Sequence, residues 1–195
     1  MKISNSLFSS LAQKMTQALL VSLCTWGLAS QAQTAPSTLP ALTAVPSLDV
    51  PRYMGTWHEI AKYPNWFQNK CVSSTKATYT LQPNGRVQVL NRCKTEKGEW
   101  SEALGEARQI GEPTSAQLKV RFAPEWLSFI PLVWGNYWVI ELDPNYQWVA
   151  ISEPQREYLW ILSRTPEMNA PELQALLTRL VNRGFDPKRI EFSKP

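Results

Sequence analysis

The sequence predicts an all-β fold, a barrel or sandwich of short strands, followed by one amphipathic α-helix. Two observations predict it: β-type runs separated by turn residues recur from Trp57 to Ser163, and the apolar period changes once, near residue 170, to that of a helix. The chain of 195 residues, 44% hydrophobic and 18% charged, suits one globular domain with a real core and is not composed as a disordered chain. The net charge of +4 is modest and its basic residues are scattered, which argues against nucleic acid as a partner.

The N-terminus carries Lys2 and Lys14, an apolar run from Ala18 to Ala29, and small residues ending at Ala32. That layout is a secretory signal peptide over residues 1–32, with an apolar run too short for a comfortable membrane span. Cys24 invites a lipid anchor, but Leu23 stands where such a signal wants Gly, Ala or Ser. Export to the periplasm or envelope of a Gram-negative bacterium is the expectation. Residues 33–48, rich in proline and small residues, read as a linker, and residues 49–195 as the barrel domain.

Eight strand candidates follow: 57–63, 73–81, 86–94, 101–110, 116–122, 137–142, 147–153 and 158–163. An eight-stranded closed sheet leaves room for a small ligand and removes aggregation-prone edges. Thr75, Ala77, Tyr79 and Leu81 share one face of the second run; Val87, Val89, Asn91 and Cys93 share one face of the third. If both faces point inward, Pro83-Asn84-Gly85 is a three-residue turn with Gly85 left-handed. Leu81 then pairs with Val87, and Cys93 falls opposite Thr75. With Cys24 removed, Cys71 and Cys93 are an even pair in an export context, and a disulfide between them is expected. Leu173, Leu176, Leu177, Leu180 and Val181 recur at helical spacing between Asn169-Ala170-Pro171 and Gly184. This helix accounts for strands that are apolar on both faces, such as 139–142 and 159–162. Residues 190–192 are a candidate closing strand.

Gly55-Thr56-Trp57 opening the first run, and Leu159-Trp-Ile-Leu-Ser-Arg-Thr-Pro166 closing the last before a helix, resemble the lipocalin family. With Tyr53-Met-Gly-Thr-Trp-His-Glu-Ile-Ala61 they are similar in particular to bacterial outer-membrane lipocalins and their apolipoprotein D-like relatives. The resemblance spans roughly residues 49 to 193. It implies an eight-stranded antiparallel up-and-down β-barrel with one C-terminal α-helix packed outside. It also implies Arg164 over the Trp57 ring at the closed end, a cation–π contact. The family's Thr-Asp-Tyr motif is here Leu142-Asp143-Pro144-Asn145-Tyr146, with the aspartate kept and the tyrosine displaced or absent.

From Arg164, period two carries Leu162, Trp160 and Tyr158 inward on the last strand. Similarity implies Tyr137 and Val139, then Trp148 and Ala150, as inward residues of the sixth and seventh. Tyr79, Val89 and Asn91, with Leu118, Val120 and Phe122, complete an apolar, aromatic-rich chamber suited to an elongated hydrophobic ligand; plain core filling is the alternative. Glu59 and Glu141 are candidates for inward carboxylates or for rim charges. Trp66 and Phe67 in the first loop share the open end with Trp126, Leu127, Phe129 and Trp134. Two apolar loops at one rim point to a membrane, a partner or a second copy of the chain; folding down to cap the cavity is the other reading.

The function expected is binding, storage or transport of a fatty acid or lysophospholipid at the bacterial cell envelope, without catalysis or cofactor. The alternative is a lipocalin-type enzyme acting on a bound, oxidised lipid, which in its simplest form needs a free cysteine thiolate in the chamber. His58 is the only histidine, which disfavours metal or haem chemistry.

Overall fold

The periodicities of the sequence appear as strands in a computed structural model, which describes residues 39–195. The signal-peptide reading of residues 1–32 and the anchor reading of Cys24 lie outside the described residues. A short helix α1 (Val50–Tyr53), capped by the Asp49 carboxylate, precedes β1 (Gly55–Lys62). Then follow β2 (Ser73–Leu81), β3 (Val87–Lys94), β4 (Trp100–Gln109), β5 (Gln117–Arg121), β6 (Gly135–Leu142), β7 (Trp148–Ser152) and β8 (Leu159–Ser163). Helix α2 (Ala170–Asn182) and a two-residue β9 (Glu191–Phe192) end the chain.

Neighbouring strands pair antiparallel in chain order, and β1 pairs with both β8 and β2, which closes an eight-stranded up-and-down barrel. The β1–β2 ladder covers only Gly55 to His58. Beyond it the C-terminal segment fills the gap: β9 pairs with Ala61 and Lys62, Ser193 N–H donates to Ile60 O, and Ser74 N–H donates to Lys194 O.

The β2–β3 hairpin has the expected register, Leu81 opposite Val87, across a three-residue turn in which Gly85 is left-handed at φ +77°. A shift between Ser73 and Lys76 sets Cys93 opposite the irregular Ser74-Thr75 pair. The Cys71–Cys93 disulfide forms, tying the first loop to β3.

Two apolar layers result. Inside the barrel lie Trp57, Ala77, Tyr79, Val89, Leu118, Val139, Val149, Ile151 and Leu162; between barrel and α2 lie Ile60, Ile140, Trp148, Ala150, Leu159, Ile161, Leu176 and Leu180. The assignment of Trp148 and Ala150 to the interior is therefore corrected. Val149 faces Leu162 and Ile151 faces Trp160 on inward-pointing β8, so Trp148 and Ala150 point to the helix. Of the two readings open for Glu141, the inward one falls: it lies outside the barrel on the helix side, ion-paired to Arg179 and Arg183 at 3.0 and 2.9 Å. Val181, expected in the helix stripe, is exposed.

Residues 39–48 run along the barrel wall as an extended arm, a strap over its outer face. Leu42 and Leu48 are buried, Val45 N–H donates to Val139 O, and the Arg183 guanidinium donates to Thr43 O. Leu42 joins the layer under α2, and Leu48 reaches the barrel floor.

Candidate functional site

One end of the barrel is shut by bonds that converge on Arg164. Its guanidinium carbon sits 3.8 Å from the Trp57 ring centroid. Its nitrogens donate to Thr56 O, Arg52 O and Tyr146 O at 3.2, 2.8 and 3.2 Å. Trp57 Nε1 donates to Tyr53 O, so the ring is held from both sides. Gly55, at φ +97°, brings the backbone close enough that a Cβ would stand 3.3 Å from the Arg164 guanidinium. The displaced Tyr146 still works here: its hydroxyl accepts from Asp49 N–H, and Arg52 lies over its ring.

Above this plug, α1 and the strap insert Leu48, Val50, Tyr53 and Met54 into the barrel floor. They enclose, with Tyr79, Val87, Val89, Ala107, Leu118, Val120 and Tyr137, a cavity of about 20 Å³, room for about one water. Three tyrosine rings are among its walls, with their hydroxyls bonded to one another. Tyr137 Oη lies 2.6 Å from Tyr53 Oη and 3.0 Å from Tyr79 Oη. Burial pushes all three phenols up, Tyr79 to about 12, so they stay protonated donors at neutral pH. Tyr53, Val50 and Leu48 are the site residues that strand periodicity misses; the Asp49 cap ahead of Pro51 is the signal that a helical plug stands there.

The other end is wide. Val89 faces Gly105, Asn91 faces Ala103 and Cys93 faces Ser101, so the inner face of β4 carries only small side chains from Ser101 to Ala107. Ala103 points inward yet is exposed, and Asn91 is half-buried, so solvent reaches the upper chamber. Phe122 stands just past β5, half exposed, with its ring over Gly105. Trp160 faces inward, and Tyr158 stacks on it at the rim with ring centroids 5.8 Å apart. Phe67 packs on both, 5.8 and 6.1 Å away. Among the predicted chamber residues, Tyr79, Val89, Leu118, Val120 and Tyr137 meet at the floor cavity. Val139 is wholly buried in the core beside it, while Asn91, Phe122, Tyr158 and Trp160 stand at the mouth.

Glu59 is buried and its oxygens accept from Gln68 Nε2 at 2.8 Å and Ser193 Oγ at 2.6 Å. Desolvation raises its pKa against these hydrogen bonds. Gln68 also accepts from Trp160 Nε1, at 2.9 Å, so the carboxylate links β1, the first loop, β8 and the C-terminus.

The rim loops divide. Trp66, Phe67, Trp126, Phe129 and Leu132 are exposed, and Leu127 is half-buried. Trp134 is corrected: it is buried on the outer wall, its ring between Arg108 and Arg121 at 4.3 and 5.2 Å, with Nε1 donating to Ser128 O. It anchors the loop that carries Trp126 and Phe129. The alternation that makes Leu118, Val120 and Phe122 inward makes Arg121 outward, and Trp134 packs on that outer side.

A lipocalin-like domain model matches residues 48–195. The chain belongs to the lipocalin family. This lipocalin is 43% identical over 152 residues to temperature-induced lipocalin-1 of Arabidopsis thaliana, covering 76% of this chain and 80% of that one. It is 37% identical over 152 residues to the outer membrane lipoprotein Blc of Escherichia coli, covering 77% and 81%. Insecticyanin from the tobacco hornworm Manduca sexta shares the lipocalin fold, with TM-score 0.62, 19% identity, and 83% and 88% of the two chains covered. Within this lipocalin the disulfide leaves neither Cys71 nor Cys93 as a thiolate nucleophile.

Proposed function

We propose that this lipocalin binds a small hydrophobic ligand, a fatty acid or lysophospholipid, in its barrel and stores or carries it at a bacterial cell envelope. The asymmetry of the barrel carries this reading. One end is plugged by Trp57 and Arg164, whereas the other leaves inward-facing Ala103 in contact with solvent beneath a rim of aromatic rings. An acyl chain entering there meets apolar and small side chains, and each buried methylene contributes roughly 0.8 kcal/mol before ordering costs. The envelope location is supported by the similarity to outer membrane lipoprotein Blc and by the signal-like N-terminus.

Peripheral contact with a membrane through the mouth belongs to the same proposal. Trp66, Phe67, Trp126, Phe129 and Leu132 stand exposed at one end. The strap begins at that end too. Arg156, in the β7–β8 loop, donates to Pro40 O, and Leu39 packs against Gly184 past the end of α2.

Mass spectrometry of organic extracts from the protein purified under native conditions tests the ligand reading. Fatty acids or lysophospholipids enriched over a non-binding control protein are expected. Extracts with no lipid above that control contradict it.

A further inference from the structure

On the outer wall of the barrel, three cations surround one indole. Lys76 of β2 pairs with Arg92 of β3, and Lys94 of β3 pairs with Trp100 of β4. Their neighbours Ala77, Cys93 and Ser101 belong to the inner face, so alternation sets these four side chains on the outside. The Lys76 and Lys94 ammonium nitrogens stand 5.1 and 5.5 Å from the Trp100 ring centroid, and the Arg92 guanidinium carbon stands 4.9 Å from it. Arg92 is paired with Glu102 at 2.8 Å. Among the described residues Lys76 and Lys94 form no ion pair. Charges gathered this closely are poorly screened from one another, and the ring face offsets only part of their repulsion.

Beside this cluster a groove of about 290 Å³ opens where β1 and β2 part. The ladder between them ends at the His58–Lys76 pair, and past it Ser74, left-handed at φ +55°, donates its N–H to Lys194 O of the C-terminal segment. The parting brings His58, Lys76, Lys194 and the Trp100 ring to one groove. Lys194, too, forms no ion pair among the described residues. Of the carboxylates beside the groove, Glu59 is buried and accepts from Gln68 and Ser193, and that of Pro195 forms no ion pair. Burial and the Lys76 charge hold His58 below its usual pKa, so its imidazole is neutral at physiological pH and keeps one N–H donor. The groove thus combines uncompensated positive charge with an indole wall.

We propose that this groove is a second binding site, on the outside of the barrel, for a phosphate group. A phosphate spreads its charge over several acceptor oxygens, so one group accepts from both Lys76 and Lys194 and relieves the repulsion among the cations at Trp100. A carboxylate offers fewer acceptors and less charge, and chloride has no directed acceptor geometry. The carbon skeleton that bears the phosphate lies against the Trp100 ring, which is 43% exposed. A soluble phosphate ester and the headgroup of an anionic phospholipid present the same chemistry. The groove shares no residue with the floor cavity, so this inference stands or falls apart from the ligand-binding reading of the barrel.

His58 is the only histidine, so its imidazole C–H resonances give a unique signal from this groove. The test titrates the untagged protein with glycerol 3-phosphate, sodium acetate and sodium chloride at matched ionic strength, and measures co-sedimentation with phosphatidylglycerol and phosphatidylcholine vesicles. A saturable His58 shift is expected with glycerol 3-phosphate and with neither salt. Lys76→Gln combined with Lys194→Gln is expected to weaken that binding about tenfold. Lys119→Gln combined with Lys188→Gln, which removes the same charge outside the groove, is expected to weaken it less than about twofold, with thermal melts confirming that both pairs fold. Loss of phosphatidylglycerol binding in the groove pair alone assigns the site to a lipid headgroup. Unchanged vesicle binding beside weakened ester binding assigns it to a soluble phosphate. No saturable shift with the ester, an equal shift with acetate, or equal weakening in both variant pairs overturns the site.

Discussion

The Arg164 guanidinium stands 3.8 Å above the Trp57 ring while donating to carbonyls of three separate segments, Arg52, Thr56 and Tyr146. One side chain from the end of β8 thereby joins α1, the start of β1 and the β6–β7 turn. The cation–π contact and the three charge-assisted bonds act on the same rigid fork, so a lysine cannot reproduce them.

Replacing Arg164 by alanine is expected to lower unfolding free energy by about 2–4 kcal/mol, from the lost ring contact and the carbonyls left unpaired. Urea denaturation followed by tryptophan fluorescence measures this. A midpoint unchanged from the parent shows that the closed end is held by something else.

The two tryptophans of the β5–β6 loop are expected to behave oppositely. Trp134→Ala, which empties the buried slot between Arg108 and Arg121, costs about 3 kcal/mol or more. Trp126→Ser paired with Phe129→Ser, both at exposed sites, costs little stability but weakens binding to phospholipid vesicles roughly tenfold. Co-sedimentation with vesicles, alongside thermal melts, separates the two. Vesicle binding unaltered by the double change removes these rings from any membrane contact.

Glu59 makes stability depend on pH in a defined direction. Its folded pKa is raised above the unfolded value, so the folded state holds the proton more tightly. The stabilisation linked to that proton is present on the acid side and is lost as pH rises through the raised pKa. Glu59→Gln, which keeps the shape and removes the charge, should therefore gain Tm relative to the parent as pH rises from 4 to 8. A constant Tm difference across that range contradicts the assignment.

Removing the Cys71–Cys93 cross-link, 22 residues apart, is expected to cost about 3 kcal/mol through the freed chain entropy of the unfolded state. The Cys71→Ser, Cys93→Ser double variant in guanidinium titrations measures it. Near-zero loss means that the first loop is fixed by Gln68 and its partners alone.

The barrel was legible in the sequence because its strands alternate or are bounded by turn residues, and Gly85 with the Leu81–Val87 pairing set one hairpin register. The facing of β7 was not. All five of its residues are buried, so alternation carries no signal, and only its pairing with β8 decides that Val149 and Ile151 look inward. Trp134 was misplaced for a related reason. A loop aromatic shows no period, and its burial depends on two arginines that become neighbours only when β4 and β5 pair. The floor was missed because its central residue, Tyr53, belongs to a single helical turn ahead of the first strand. What makes it part of the site is contact with Tyr137, 84 residues away.

Fluorescence titration of the delipidated protein with cis-parinaric acid tests the ligand-binding claim most directly. The account predicts saturable binding of one probe per barrel, at micromolar affinity or tighter, with full displacement by palmitate. A folded, disulfide-bonded preparation that shows no saturable signal would contradict it.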